Sequence, residues 1–178
     1  MVIKDALKYV SNSEKTSLDD LTPSEYKRVE EITGFVEGVF GMSPLMVFGT
    51  KNLVALVDGK IAGFVALNEV DFENVDVLHA PYRKASEFGA ERDALGRGYE
   101  INGLAVGAEH RHKGIARALL REASTTPCGE KAEKCLFILT VNPKNTEALK
   151  LYENFGFERI TTSRRGLFGK SIYMGMVV

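Results

Sequence analysis

Residues 104–120 constrain the fold of this 178-residue chain more than any other stretch. An apolar, strand-like run leads into a basic turn with one glycine, and an amphipathic helical pattern begins at Ile115. At the start of a helix the backbone N–H groups lack intrahelical partners and the helix dipole is positive, so anions are stabilised there. The stretch therefore predicts a strand, a diphosphate-binding turn and a helix.

A second informative block follows at residues 142–157. It comes directly after a continuous apolar run, residues 135–141, which is typical of a strand buried on both faces. Pro143 stands near the start of the block and Gly156 at its end, as expected for a helix with ordinary start and stop signals. The pattern predicts a second strand-to-helix unit.

Together the two blocks resemble the GNAT superfamily of acyl-CoA-dependent N-acyltransferases. Arg111, Gly114 and Ala116 match the superfamily's (Arg/Gln)-x-x-Gly-x-(Gly/Ala) pyrophosphate motif. The helix block is matched by Asn142, Asn145, Ala148, Leu151, Tyr152, Gly156 and Phe157. The match is close over residues 99–157, and residues before Leu53 match only in general layout. The resemblance implies an N-acetyltransferase that uses acetyl-CoA as co-substrate.

The order of predicted elements indicates a mixed α/β fold with one right-handed crossover. The resemblance implies the GNAT fold, in which a mixed, mostly antiparallel central sheet is flanked by helices. It also implies that the central strands containing Leu104 and Leu139 splay apart and form the acyl-CoA site. The length suits one domain over residues 1–178.

Outside the two blocks, the clearest local signals are a helix start and a hairpin. Thr22 and Glu25 form a capping-box pattern, so a helix should begin near Pro23. Glycines at 34, 38 and 41 should weaken its continuation, and its inward residues should be Tyr26, Val29 and Ile32. Asp58-Gly59 predicts a hairpin between residues 51–57 and 60–67.

Residues 69–98 read as a long connection with a helical piece around 83–95. Connections of that length inside compact domains are often functional. Beyond residue 158, two strand-like runs predict a closing hairpin around residues 164–169.

The resemblance implies how acetyl-CoA is held. The backbone of Leu104, Ala105 and Val106 would pair with the pantetheine arm, with the Leu104 N–H polarising the thioester carbonyl and Gly103 easing a bulge. The pyrophosphate would be held by Arg111, His112, Lys113, Gly114, Ile115, Ala116 and Arg117. Asn142 and Asn145 would bond the pantetheine amides. An ordinary core strand at 104–106 and simple helix capping by the asparagines are the alternative interpretations.

The same resemblance implies the catalytic residues. Tyr152 aligns with the tyrosine that donates a proton to the departing thiolate, and Glu100 is the leading candidate for the base. Glu69, Asp71 and Glu73 compete with Glu100, since every-second spacing places them on one face of an extended segment. His79 lies nearby, although a lone histidine is more often structural.

Charge and cysteine content bound the partners. Lys plus Arg total 23 against 24 for Asp plus Glu, so the net charge of −1 gives no general attraction to nucleic acid or an anionic membrane. Cys128 and Cys135 suggest neither a metal site nor a disulfide framework, and reduced thiols are expected. Early charges interrupt any signal-peptide core, and no apolar run is long enough for a membrane span. A cytoplasmic protein is expected.

The resemblance does not identify the acceptor, which is a small molecule or a peptide with an amine group. It implies that the amine attacks acetyl-CoA directly in a ternary complex, without a covalent enzyme intermediate. A homodimer is compatible with it. One alternative is a coenzyme A-binding regulatory module without turnover. A second alternative is that residues 110–113 contact a nucleic acid. The nearly neutral net charge argues against this alternative.

Overall fold

The computed structural model describes residues 1–10, 22–41, 47–72, 80–93, 97–128, 134–165 and 169–178. Their helices and strands, in chain order, are β1 (Val2–Asp5), α1 (Ala6–Val10), α2 (Pro23–Phe40), β2 (Lys51–Val57), β3 (Lys60–Asp71), α3 (Ala80–Glu91), β4 (Arg97–Val106), α4 (Ile115–Ser124), β5 (Leu136–Val141), α5 (Thr146–Phe155), β6 (Glu158–Arg165) and β7 (Gly169–Val177). A 3-10 turn, Ala108–His110, lies between β4 and α4.

The chain divides into two compact units. Unit 1 contains Met1–Leu67 and Asn102–Ala123, and unit 2 contains Asn68–Ile101 and Ser124–Val178. The strands form a seven-stranded sheet in the order β1-β2-β3-β4-β5-β7-β6. This mixed sheet with its flanking helices confirms the predicted α/β fold class.

Among the strand pairings described, β4 and β5 form the one parallel pair. The pair spans Gly98–Ile101 and Leu136–Leu139, while β4 itself continues to Val106 and β5 to Val141. The pairs β1/β2, β2/β3, β5/β7 and β6/β7 are antiparallel. The sheet is therefore mostly antiparallel, as predicted, with a crossover through α4 between its two parallel strands.

In unit 1, α1 and α2 pack on β2 and β3. Buried side chains from these elements and from the segment before β2 form one apolar cluster: Ala6, Ile32, Val36, Val47, Val54, Leu56, Phe64 and Ala66. The hairpin between β2 and β3 turns at Asp58 (φ 50°) and Gly59 (φ 77°). Positive φ at both central residues is what a two-residue hairpin turn requires, so this prediction is confirmed.

Helix α2 begins where the capping box predicts. The Thr22 N–H donates to Glu25 Oε2 at 2.7 Å, and the Glu25 N–H donates to Thr22 Oγ1 at 3.4 Å. The helix runs through the glycines at 34 and 38 and ends at Gly41 in a left-handed conformation, so those two glycines do not interrupt it. No helix in the described ranges combines the length and apolar character needed to cross a bilayer.

The inward face of α2 differs from the prediction at one position. Ile32 is 4% exposed and Val29 packs against the core, as predicted, but Tyr26 is 45% exposed. Tyr26 lies in the first turn, where the residues around it are exposed as well. Its predicted burial was wrong because the core of unit 1 begins only at the second turn of the helix.

In unit 2, α3 packs on the sheet through Ala85 and Phe88, which join Phe72, Leu136 and Ile138 in one buried cluster. Helix α3 confirms a helical piece within the long connection. Strands β6 and β7 form the predicted closing hairpin, with Arg165 paired to Gly169. The residues at its tip, 166–168, lie outside the described ranges.

The cysteines correct the sequence-based expectation. A disulfide joins Cys128 to Cys135, whose Cα atoms are 5.5 Å apart, a separation inside the range that the bond requires. Two backbone hydrogen bonds to Val178 fix Cys135 at the start of β5. The expectation of two reduced thiols was wrong, because a spacing of seven residues does not by itself show whether two cysteines lie within bonding distance.

Candidate active site

The turn after β4 is built largely by the backbone. In unit 1 the Gly107 N–H donates to the Ala62 carbonyl at 2.9 Å, and the Arg111 N–H donates to the Ala108 carbonyl at 3.4 Å. The second bond closes the 3-10 turn, and the first ties the residue after β4 to β3 and so fixes the point where the chain leaves the sheet. The basic loop therefore starts from a defined position at the end of β4.

The loop itself adopts left-handed backbone conformations. His112 has φ 59° and Gly114 has φ 79°. The Gly114 carbonyl accepts a hydrogen bond from the Ala118 N–H at 3.0 Å, so Gly114 caps the start of α4. The N–H groups of the first helical turn, from Ile115 onward, have no intrahelical acceptors and lie at the positive end of the dipole. The predicted strand, turn and helix are therefore present, and binding of a diphosphate at this turn stays a prediction.

Within unit 1, helix α4 packs against β3 through its apolar face. Ile115 is 3% exposed and Leu119 is fully buried. A Cβ atom at Gly63 on β3 would lie 3.0 Å from side-chain atoms of both, so glycine allows the helix to approach the strand closely. Arg117 on the polar face of the helix is exposed, as are Arg111 and Lys113 in the preceding loop. The loop thus combines a rigid backbone with solvent-facing positive charge.

The second half of β4 carries the residues predicted to pair with pantetheine. Leu104 and Val106 are half-buried, and Ala105 between them is buried. At Gly103 an added Cβ would lie 2.7 Å from Val47 Cγ1 and 3.2 Å from the Phe40 ring. The structure thus gives a packing reason for glycine at this position.

In unit 2, the two predicted asparagines flank the start of α5. Asn145 Oδ1 accepts a hydrogen bond from the Ala148 N–H at 3.1 Å, and Asn142 Oδ1 accepts one from the Lys144 N–H at 2.9 Å. Asn145 is the helix N-cap. Asn145 therefore performs the capping role weighed as an alternative, whereas Asn142 forms a turn just before the helix. A ligand contact would use the Nδ2 donors of both.

Tyr152 lies on the inward face of α5 and is 8% exposed. Its ring meets Phe157 edge-on, with the centroids 5.7 Å apart. Burial raises the pKa of the Tyr152 phenol to about 12. The hydroxyl therefore keeps its proton at neutral pH, as a proton donor must, although its acidity is lower than that of tyrosine in water.

Glu100 is half-buried on β4, opposite Ile138 of β5. Its Oε2 atom accepts a hydrogen bond of 2.6 Å from the Tyr82 hydroxyl of α3. The carboxylate is thereby oriented by a side chain from another element of unit 2. Sequence reasoning missed Tyr82, because it precedes Glu100 by 18 positions and belongs to a connection without a clear periodic pattern.

The competing carboxylates face elsewhere within unit 2. Val70 on β3 packs against the same apolar cluster as Tyr82, while Glu69 and Asp71 on either side of Val70 are exposed. Because alternate strand residues point to opposite faces, Glu69 and Asp71 face away from that cluster. Glu73 and His79 lie outside the described residues.

The mixed sheet and the strand, turn and helix of residues 97–124 are those expected for the class of acyl-CoA-dependent acyltransferases. Residues 25–157 match the model of the Acetyltransferase (GNAT) family, and the chain belongs to that family. The chain is an acetyl-CoA-dependent N-acetyltransferase by family, as the sequence motifs predict.

One protein is similar to this chain in sequence, and several solved structures are similar to it in fold. Over 135 residues the chain is 28% identical to the L-amino acid N-acetyltransferase AaaT of Escherichia coli strain K12, covering 72% of this chain and 69% of that protein. The fold is similar to Arabidopsis thaliana NAA60 in complex with acetyl-CoA, at a TM-score of 0.54 and 20% identity over 72% of this chain and 76% of that one. It is also similar to the ribosomal-protein-S18-alanine N-acetyltransferase of Escherichia coli, at a TM-score of 0.53 and 16% identity over 85% and 87%.

Proposed function

We propose that this protein transfers the acetyl group of acetyl-CoA to a primary amine by direct attack in a ternary complex, with residues 1–178 working as one catalytic domain. The observation that carries the proposal is the loop after β4, where Gly114 (φ 79°) caps a helix start beside exposed basic side chains. A backbone-built anion site at a helix N-terminus suits the pyrophosphate of coenzyme A.

The proposed cofactor contacts are those that the resemblance to the GNAT family implies. The N–H groups of residues 114–117 hold the pyrophosphate, and Arg111, His112 and Lys113 add charge or donors around it. The backbone of residues 104–106 bonds the pantetheine arm, and the Leu104 N–H polarises the thioester carbonyl. Asn142 and Asn145 donate to pantetheine carbonyls through Nδ2, which is compatible with the hydrogen bonds that their Oδ1 atoms accept.

The chemistry needs a base for the amine and an acid for the thiolate. The amine nitrogen attacks the thioester carbon and forms the C–N bond, and Glu100 takes a proton from the nitrogen directly or through a water. The C–S bond then breaks, and the Tyr152 hydroxyl gives its proton to the departing sulfur. After the products leave, Glu100 releases its proton to solvent and Tyr152 regains one from solvent.

The acid step is uphill for a tyrosine whose pKa is raised to about 12 by burial. A thiol has a reference pKa of about 8.5 in water. The same low-dielectric surroundings also raise the pKa of the departing thiol when its sulfur enters them, because they disfavour the thiolate. The difference between the pKa values of the phenol and the thiol is therefore smaller than these two numbers suggest. Tyr152 therefore assists thiolate departure and does not set the whole barrier.

For the acceptor, we propose the α-amino group of a free amino acid or of a peptide N-terminus. The support is the 28% identity to an L-amino acid N-acetyltransferase. The direct test is to incubate the protein with acetyl-CoA and a panel of L-amino acids, short peptides, polyamines and aminoglycosides, and to separate acetylated products by chromatography with mass detection.

Turnover with an α-amine is the expected result. Turnover confined to polyamines or aminoglycosides would overturn the acceptor class and retain the activity. Tight acetyl-CoA binding with no acetylated product would favour the coenzyme A-binding regulatory module. Acetyl-CoA binding no tighter than that of inorganic pyrophosphate would contradict the proposal altogether.

A further inference from the structure

We propose that Tyr82 is a positioning residue for the reaction: it holds the Glu100 carboxylate in the orientation that accepts the amine proton. This inference rests on the proposed function and deepens it. It gives helix α3, inside the long connection before β4, a role in catalysis.

The contact has the geometry of a strong, charge-assisted hydrogen bond. The Tyr82 hydroxyl donates to Glu100 Oε2 at 2.6 Å in a partly buried setting. Hydroxyl-to-carboxylate bonds of about 2.5–2.7 Å are the stronger kind. Because Oε2 is engaged, Oε1 is the oxygen that remains to take a proton from the amine or from a bridging water.

Tyr82 is itself held in place by packing. Its ring meets the Tyr173 ring edge-on, with the centroids 6.3 Å apart and the planes at 71°. Tyr173 on β7 is 1% exposed. Ala85 and Phe88, farther along α3, belong to the buried cluster of unit 2. The hydroxyl is thus presented to Glu100 from a rigid support, which an oriented catalytic group requires.

The chain contains a matched bond with no assigned role in catalysis. In unit 1 the Tyr9 hydroxyl donates to Glu31 Oε2, also at 2.6 Å. The two pairs have the same donor, acceptor and length, but the Tyr9 pair is exposed and joins α1 to α2. Tyr9→Phe therefore controls for the loss of one tyrosine–glutamate hydrogen bond from the protein.

The experiment is a double-mutant cycle with Tyr82→Phe, Glu100→Gln and the combined variant, beside Tyr9→Phe. Steady-state kinetics use the α-amine that gives the highest turnover in the acceptor panel. Phenylalanine keeps the ring on Tyr173 and removes only the hydroxyl. We expect Tyr82→Phe to lower kcat roughly tenfold, because it removes a hydrogen bond to a charged group. The KM for acetyl-CoA should stay within twofold, and Tyr9→Phe should leave kcat unchanged.

The cycle separates positioning from a structural role. If Tyr82 acts through Glu100, adding Tyr82→Phe to Glu100→Gln lowers kcat by less than twofold. If Tyr82→Phe lowers kcat of the Glu100→Gln variant by the same factor as it lowers kcat of the wild type, the inference is overturned. A wild-type kcat in the Tyr82→Phe variant would also overturn it. If Glu100→Gln alone retains wild-type kcat, the assigned base fails and the inference with it. If no amine is acetylated, the proposed function itself fails.

Discussion

The loop of residues 111–114 and the Tyr82–Glu100 pair both adjoin strand β4, yet they are built in opposite ways. The loop is made by the backbone of consecutive residues, and its left-handed angles at His112 and Gly114 are a local property. The Tyr82–Glu100 pair is made by two side chains from different elements, 18 positions apart. One is local in sequence and the other depends on tertiary packing.

The contrast teaches where each function should be vulnerable. A backbone site tolerates side-chain changes and fails when a backbone angle becomes unavailable. A side-chain pair fails when one functional group is removed, even if the backbone is unchanged. Binding of acetyl-CoA and the rate of transfer should therefore respond to different substitutions.

The largest effect is expected for Glu100→Gln. Removing a general base costs roughly 10²–10⁴-fold in rate, so kcat should fall by at least about a hundredfold. The acetyl-CoA dissociation constant, measured by calorimetry, should not change, because the loop proposed to hold the pyrophosphate is intact. Glu31→Gln, at the matched exposed pair, should leave both quantities unaltered. A kcat near wild type for Glu100→Gln would remove Glu100 from the mechanism.

Tyr152→Phe should have the next largest effect. Loss of the proton donor to the leaving thiolate should lower kcat by roughly ten- to a hundredfold, while the ring stays packed against Phe157. Steady-state kinetics with acetyl-CoA and the best acceptor measure this. Tyr26→Phe, at an exposed position of α2, is the control. Equal kcat values for Tyr152→Phe and the control would assign Tyr152 a packing role alone.

The loop is tested by a pair of glycines with nearly the same backbone angle. Gly114 has φ 79° and Gly59 has φ 77°, and a Cβ at either position would meet open space. Alanine in the left-handed region costs about 1–2 kcal/mol, so both alanine variants should lose similar stability in urea unfolding. Only Gly114→Ala should weaken acetyl-CoA binding, because the strain of alanine at this position distorts the loop. A cost of that size corresponds to about a tenfold increase in the dissociation constant.

Two results would count against the backbone account of the loop. One is equal weakening of acetyl-CoA binding in both alanine variants, which would mean that general destabilisation is responsible. The other is unchanged binding in Gly114→Ala with a large loss in an Arg111→Ala variant, which would place the pyrophosphate contacts on side chains.

The smallest expected effect concerns alkaline stability. Burial raises the pKa of Tyr152 to about 12 from 10.0, so the folded state favours the protonated phenol. That stabilisation is complete below pH 10 and is lost as the pH rises to 12, in total about 3 kcal/mol. By pH 11 roughly half should be gone. Urea unfolding at pH 9 and at pH 11 measures how much free energy of unfolding each protein loses between the two pH values. Tyr152→Phe should lose about 1 kcal/mol less than the wild type. Identical losses in the two proteins would contradict the effect of burial on the pKa of Tyr152.

The elements with local signals were predictable from the sequence. The capping box before Pro23, the Asp58-Gly59 turn and the glycine at 156 each fix backbone geometry within a few residues, and the structure shows each as predicted. The parallel strands joined by α4 were predictable as well, because the crossover follows from the element order. Residues 104–117 belong to this local class.

The features that were missed depend on distant partners. Strand β1 has only four residues and exists by pairing with β2, Val2 opposite Leu56. The disulfide and the Tyr82–Glu100 bond likewise join residues that no spacing rule connects. Tyr26 shows the converse error, since its helical periodicity is correct but the core does not extend to the first turn. Sequence patterns predict local backbone geometry, whereas these contacts form only in the complete tertiary structure.

Direct transfer in a ternary complex is the central claim, and an initial-rate matrix tests it most directly. Acetyl-CoA and the best α-amine acceptor are varied together, and reciprocal rates are plotted against reciprocal acetyl-CoA concentration at several acceptor concentrations. Intersecting lines are predicted, because both substrates must be bound before the acetyl group moves. Parallel lines would show that an acetylated enzyme forms first and would contradict the direct attack assigned to the amine.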